Sequence, residues 1–237
     1  ASHADRPIDW LVYTAALPPT HAELLLAKLL NIKVAKRDEL LAHIITEKQL
    51  KLIAVAGTHG KTTATGMFVW TLQQLGVPIS YSIGTTIGFG PSGQFKPRSE
   101  YFIYECDEFD RNFLHFSPYL SIITSLDYDH PDTYATKADY QEAFAQFASQ
   151  SQQVLAWNDQ QANVFDGLFQ VSLLDPSQIN QTIGVSGLYN RRNATLVQTA
   201  IKRLGFTQDT DGVISRFPGT DRRFEKLAEN LYSDYGH

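Results

Sequence analysis

Lys61 and Thr62 close a short glycine loop, Ala56-Gly57-Thr58-His59-Gly60-Lys61-Thr62-Thr63, set between two apolar runs. An ammonium, hydroxyls and backbone N–H groups gathered at the start of a helix suit the outer phosphates of a nucleoside triphosphate. Gly57 and Gly60 let the backbone turn tightly. Lys61 supplies a point charge for the outer phosphates, and Thr62 a hydroxyl for Mg²⁺. The general phosphate-loop pattern, G-x-x-x-x-G-K-[ST], asks for glycine at position 55 and meets Val55, so the loop reads as the shorter G-T-H-G-K-T. Gly-Lys-Thr also arises by chance in turns, but the strand before it and the helix after it supply the context the motif requires.

Two more segments carry chemistry. Tyr101 to Asp110, YFIYECDEFD, is an apolar strand ending in four carboxylates, Glu105, Asp107, Glu108 and Asp110. One of them could hold Mg²⁺ directly or through water, and Glu105, the first acid at the strand end, is the prime candidate. A solvated acidic turn is the alternative for each. Further on, Leu120 to Thr124 runs into Ser125-Leu126-Asp127-Tyr128-Asp129-His130-Pro131-Asp132. A lone histidine is more often structural, yet His130 follows a strand end between two acids. Three strand ends would then bring a lysine, a carboxylate and an imidazole to one cleft.

The elements that must position these groups alternate. Strands are expected at Asp9 to Ala15, Ile32 to Ala35, Leu50 onward into the loop, Val77 to Tyr81, Tyr101 to Cys106, Tyr119 to Ser125 and Gln153 to Trp157. Helices are expected at His21 to Leu30, Arg37 to Lys48, Thr62 to Leu75, Lys137 to Gln150 and Asn190 to Leu204. This is an α/β pattern, a mainly parallel sheet with helices on both faces, whose ligands sit at the carboxyl ends of the strands. Phe217-Pro218-Gly219 interrupts it, and the last twenty residues read as a hinge and the first strand of a further domain.

Composition narrows the classes. With 237 residues, 43% of them hydrophobic, the chain can bury one large core or two small ones. A net charge of −5 with interspersed signs argues against a nucleic-acid surface. The one cysteine, Cys106, excludes an internal disulfide and fits a reducing compartment. No apolar run reaches membrane-spanning length and the first residues lack a signal-peptide pattern, so a cytoplasmic protein without membrane partners is expected.

Taken together, these residues resemble the Mur ligases, ATP-dependent enzymes that build the peptide of bacterial cell-wall precursors. The loop with His59 is similar to the form in the alanine-adding and tripeptide-recycling branches. Glu105 matches the family's Mg²⁺-binding glutamate in its E-x-D-E-x-D segment, and His130 the histidine of D-H-x-D-x-[YF], proposed to bind a second Mg²⁺. Gly187-Leu188-Tyr189-Asn190-Arg191-Arg192-Asn193 is similar to G-x-H-N-x-x-N, whose asparagines face the adenine of ATP. Arg223 and Asp234 match an interdomain arginine and aspartate.

The resemblance implies catalytic roles for Lys61, Glu105 and His130. It implies nucleotide binding by Gly57, Thr58, His59, Gly60, Lys61, Thr62, Thr63, Asn190, Asn193, Arg223 and Asp234, and metal binding by Thr62, Glu105 and His130. The implied cofactors are ATP and Mg²⁺. The implied reaction phosphorylates the lactyl carboxylate of UDP-N-acetylmuramate, and the amine of L-alanine then displaces phosphate from the acyl phosphate. A whole tripeptide as acceptor, or a non-catalytic nucleotide-binding fragment, are the alternatives; a GTPase lacks support because no N-K-x-D segment is present. The implied organisation is residues 1–48 as the end of a Rossmann-like, UDP-substrate-binding N-terminal domain. Residues 49–217 are the central ATP-binding domain, and 218–237 the hinge and start of a C-terminal ligase domain. Tyr189 departs from the family's histidine, the interval from His130 to Asn190 is short, and Ala145 stands about where several Mur ligases carry a carbamylated lysine.

Overall fold

The computed structural model describes residues 8–14, 17–159, 162–220, 225–228 and 231–233. The chain divides into two compact units, Ala1–Lys48 and Gln49–His237.

In the first unit, strands β1 (Trp10–Tyr13) and β2 (Lys33–Lys36) pair in parallel, Trp10 opposite Lys33. Helix α1 (Ala22–Leu29) connects them and α2 (Arg37–Glu47) follows. The Trp10 ring lies 3.4 Å from the Lys33 ammonium and 5.4 Å from the His43 ring. Glu39 accepts from the Lys36 N–H at 3.0 Å, satisfying one of the donors that a helix start leaves without a partner.

The second unit is built on a seven-stranded sheet. Its members are β3 (Lys51–Ala56), β4 (Ile79–Ser82), β5 (Gly93–Gln94), β6 (Tyr101–Glu105), β7 (Leu120–Ile123), β8 (Val154–Trp157) and β9 (Val171–Leu174). The order is β5-β4-β6-β3-β7-β8-β9, and every pair is parallel except β5 with β4. Leu52 to Ala56 are all buried, as expected of a central parallel strand covered on both faces. Alternation still sorts the side chains. Ile53, Val55, Ile103 and Ile122 pack with Phe68 and Leu72 of α3 (Lys61–Gln74) and with Val197 and Ile201 of α5 (Leu188–Arg203). On the other face, Tyr104 packs on Phe116, while Phe113 stacks on Phe147 and meets Phe144 edge-on, both of α4 (Lys137–Gln150).

The expected strands and helices are present with ends that coincide or shift by one or two residues. Lys137–Gln150 begins where Thr136 accepts from the Asp139 N–H, a capping box visible in the sequence. Further elements were not expected, β5 and three others among them. Phe109–His115 forms short 3-10 turns interrupted at Asp110 and Arg111, which take positive φ of 53° and 56°. Val171–Leu174 adds an edge strand, and α6 (Asp211–Ser215) packs against α3, where Trp70 donates to the Val213 carbonyl. After the Pro218 break, β10 (Glu225–Ala228) and β11 (Leu231–Ser233) form a two-stranded antiparallel pair.

What this topology does for function is local. From β3 the chain crosses to one side, over β6 to β4, whereas from β7 it crosses to the other, to β8. The cleft at that reversal lies outside the carboxyl ends of β6, β3 and β7, the usual ligand position in such sheets.

Candidate active site

Register puts the three strand ends level: Val55 pairs with Glu105 on one side and with Ile122 on the other. Val55 is therefore a fully buried residue of the strand itself, which accounts for the absence of glycine there.

The loop after β3 is tied to the turn after β7. Gly57 has φ 129°, and a Cβ there would lie 2.5 Å from Thr124 Oγ1 and 2.7 Å from the Ser125 carbonyl. Only glycine fits. His59 N–H donates to Ser125 Oγ at 2.8 Å, and Thr124 Oγ1 donates to the His59 carbonyl at 2.5 Å. Thr58 Oγ1 donates to the Asp127 carbonyl at 2.6 Å and accepts from the Asp127 N–H at 2.9 Å. Its one proton is thereby committed, so Tyr140 is the donor of their 2.7 Å contact. Burial raises the Tyr140 hydroxyl above its ordinary range, keeping that donor protonated.

Gly60 (φ 84°) precedes α3, and Lys61 opens the helix. The Lys61 ammonium donates to the Gly57 carbonyl at 2.7 Å and to both oxygens of Glu108, at 2.9 and 2.7 Å. Glu108 is fully buried, and burial holds its carboxyl above the usual range against the pull of Lys61. Both its oxygens accept from the ammonium, the arrangement of an ionised carboxylate. Thr62 donates to Glu105 at 2.7 Å, and the other Glu105 oxygen accepts from the Gly84 N–H at 2.8 Å.

His130 has φ 55°, a conformation uncommon outside glycine. Its N–H donates to Asp129 at 2.7 Å, its carbonyl accepts from Thr133 and Tyr134, and the Tyr134 hydroxyl donates to the Glu108 carbonyl at 2.5 Å. The ring is thus aimed at the acidic segment, with Nε2 3.9 Å from Glu108 and the ring edge against Phe109.

Two spaces open beside these groups. A small one, about 120 Å³, is lined by Thr58 to Thr63 and Glu105, which suits phosphate and a cation. A larger cleft of about 390 Å³ is lined by His59, Gly60, Thr124, Ser125, Asp127, Tyr189, Arg192 and Asn193. In it Arg192 forms a two-pronged pair with Asp159 at 2.6 and 2.7 Å and stacks 4.3 Å from the Trp157 ring.

Residues 55–174 match the Mur ligase middle domain. The chain belongs to the Mur ligase family. A curated UDP-N-acetylmuramate–L-alanine ligase of Salinispora arenicola is 31% identical over 271 residues, an alignment covering 97% of this chain and 53% of that protein. The crystal structure of UDP-N-acetylmuramate-alanine ligase from Thermotoga maritima superposes with a TM-score of 0.79 at 21% identity, covering 97% of this chain and 60% of that one. The UDP-N-acetylmuramate:L-alanyl-gamma-D-glutamyl-meso-diaminopimelate ligase from Neisseria meningitides gives 0.77 at 22% identity, covering 90% and 80%. These two show a shared fold. The chain spans about half the length of the curated relatives it matches.

Of the residues that Mur ligase motifs single out, Gly57 to Thr63, Glu105 and His130 converge on the three strand ends. Asn193 lies buried against Gly60, where an added Cβ would come within 2.8 Å of its amide. Asn190 does not line the cleft; it is half-buried and donates to the Ser186 carbonyl at 2.9 Å. Arg223 and Asp234 lie outside the described residues. Sequence reasoning noticed Asp107 and Glu108 but did not choose them, although with His130 they bring possible ligand atoms within 4.8 Å of one another. It gave no role to Ser125 or Arg192, although both lie within motifs it singled out, and it missed Tyr140. The signal for Glu108 was present: the strand ends at Glu105, and a turn three residues on can face the loop.

Proposed function

We propose that this chain carries the ATP-binding core of a ligase that joins L-alanine to UDP-N-acetylmuramate through an acyl phosphate. Carrying the reading is the convergence of Lys61, Thr62, Glu105 and His130 at three adjacent strand ends. The phosphates lie over the Gly57–Thr63 loop, with loop N–H groups and the Lys61 ammonium facing the outer phosphates. This charge lets two anions, the triphosphate and the lactyl carboxylate, approach each other. The hydroxyl and carboxylate of Thr62 and Glu105 are hard oxygen donors that fit Mg²⁺, and His130 with the neighbouring acids is the candidate for a second ion. When bound, the metal neutralises charge on the transferring phosphoryl group. A lactyl carboxylate oxygen attacks the γ-phosphorus and ADP leaves; the amino nitrogen then attacks the acyl carbon, and phosphate departs as the amide forms. The larger cleft, with Asn193 at its floor, takes the base side of ATP. Residues 1–48 are the end of a UDP-substrate-binding domain, and residues 218–237 the hinge and start of a C-terminal ligase domain. Such work, in peptidoglycan precursor synthesis, is cytoplasmic; among the described residues no helix is long and apolar enough to cross a membrane.

The test measures ADP release from ATP with UDP-N-acetylmuramate and L-alanine. Release that requires both acceptors supports the reading. Faster release with L-alanyl-γ-D-glutamyl-meso-diaminopimelate than with L-alanine would transfer it to tripeptide recycling. ATP binding without turnover on either acceptor would leave only nucleotide binding.

A further inference from the structure

We propose that Glu108 is a positioning residue that sets the place and effective charge of Lys61 in the phosphate loop. The inference rests on reading that loop as a triphosphate site. An ammonium has three donors, and in the structure all three are spent, on the Gly57 carbonyl and on the two Glu108 oxygens. An arriving phosphate must therefore displace one of these contacts. The two differ sharply in what they cost to give up. The Gly57 carbonyl belongs to the loop, beside the space lined by Thr58 to Thr63. Glu108 is fully buried, and a buried carboxylate stripped of its counter-charge is strongly unfavourable. His130 Nε2 is 3.9 Å away, too far to donate a hydrogen bond in its place.

Lys61 consequently keeps Glu108 and exchanges Gly57 for phosphate. The ammonium stays on the β6 side of the loop and reaches the triphosphate as one end of a carboxylate–ammonium–phosphate bridge. Glu108 thereby partly cancels the charge the loop offers, which weakens the hold on a polyanion while fixing where that hold is exerted.

The experiment titrates the 237-residue chain with ATP and with AMP in the presence of Mg²⁺. Glu108→Gln is expected to bind ATP at least threefold more tightly and AMP unchanged, since AMP lacks the outer phosphates. A purely structural role would weaken both. Unchanged or weaker ATP binding by a folded Glu108→Gln protein overturns the proposal. Stability gives a second reading, independent of that variant's folding. Lys61→Met strands the buried carboxylate, so Lys61→Met/Glu108→Leu is expected to unfold at higher denaturant than Lys61→Met alone; a double variant less stable than the single also overturns the proposal. Wild-type ATP affinity in Lys61→Met would instead strike the triphosphate reading itself.

Discussion

The two halves of the site are built on different principles. On the phosphate side, the polar groups of the Gly57–Thr63 loop and of the Ser125–His130 turn are tied to one another. Thr58 bonds both backbone groups of Asp127, His59 bonds Ser125, and Lys61 bonds Glu108. On the base side, the start of α5 presents Leu188 and Tyr189 to solvent, at 52% and 72% exposure, and Asn190 bonds only its own neighbourhood. A phosphate site works by fixed dipoles, so its donors must be immobile before the ligand arrives. A base is held by stacking and a few hydrogen bonds, which can form as it enters. The phosphate half therefore stores its organisation in fold stability, and the start of α5 on the base side does so less. Substitutions should separate the two.

The largest effect is expected at Gly57. Gly57→Ala places a methyl within 2.5 to 2.8 Å of Thr124 and the Ser125 backbone, at a φ that alanine avoids. A loss of about 3 kcal/mol in denaturant unfolding is expected, together with loss of ATP binding. An unchanged midpoint would show that the loop is less fixed than its contacts imply. Thr58→Val comes next. It keeps the shape and removes a hydroxyl with three hydrogen-bond contacts, leaving buried partners unsatisfied, at about 2 kcal/mol. Because Asp127 leads to His130, the same variant should alter ligation more than ATP binding, a split readable from turnover against titration.

The same contrast explains what could be read from the sequence. Strands and helices of the second unit were legible because buried parallel strands are continuous apolar runs, as in Leu52 to Ala56. Lys61 and Thr62 were legible because their chemistry depends on the adjacent loop and helix start, which are local in sequence. Glu108 was not, because its meaning lies in a contact with a residue 47 positions away, beyond the end of the neighbouring strand. Val171–Leu174 was missed because, as a half-covered edge strand, it lacks a clear apolar run. Arg192 was passed over as a variable position within the asparagine motif, and only the fold sets it against Asp159 and Trp157.

Asp159 sharpens the comparison at a smaller scale, since its pair with Arg192 braces the base side. The hydrogen-bonded Arg192 guanidinium holds the Asp159 carboxyl below the ordinary carboxylate range. A group whose folded pKa is depressed adds stability above its unfolded pKa, about 3.9, and loses it as pH falls through the folded value. Asp159 is 37% exposed, so solvent screening limits the gain to under about 1 kcal/mol. Asp159→Asn is expected to be less stable than the wild type by that amount at pH 7, and to converge with it as the pH falls through the depressed folded pKa of Asp159. A constant difference across the acid limb would mean that packing of Arg192 on Trp157, not charge, carries the brace.

The smallest effect, and the one that bears most directly on the open half, is expected at Asn190. Its side chain is half-buried and its amide donates to the Ser186 carbonyl, so Asn190→Ala should leave unfolding within about 1 kcal/mol of the wild type. If the base half is organised by its ligand, Asn190 must release Ser186 to reach a base, and that exchange nets little, about 1 kcal/mol or less. ATP affinity should then fall by less than tenfold, whereas Asn193→Ala, which removes a buried side chain packed on Gly60, should lower stability and affinity together. Titration of both variants with ATP, beside their unfolding curves, makes the distinction. Equal behaviour of the two asparagines would show that α5 presents both to the nucleotide from a preformed surface, and the contrast between the halves would fail at its base side.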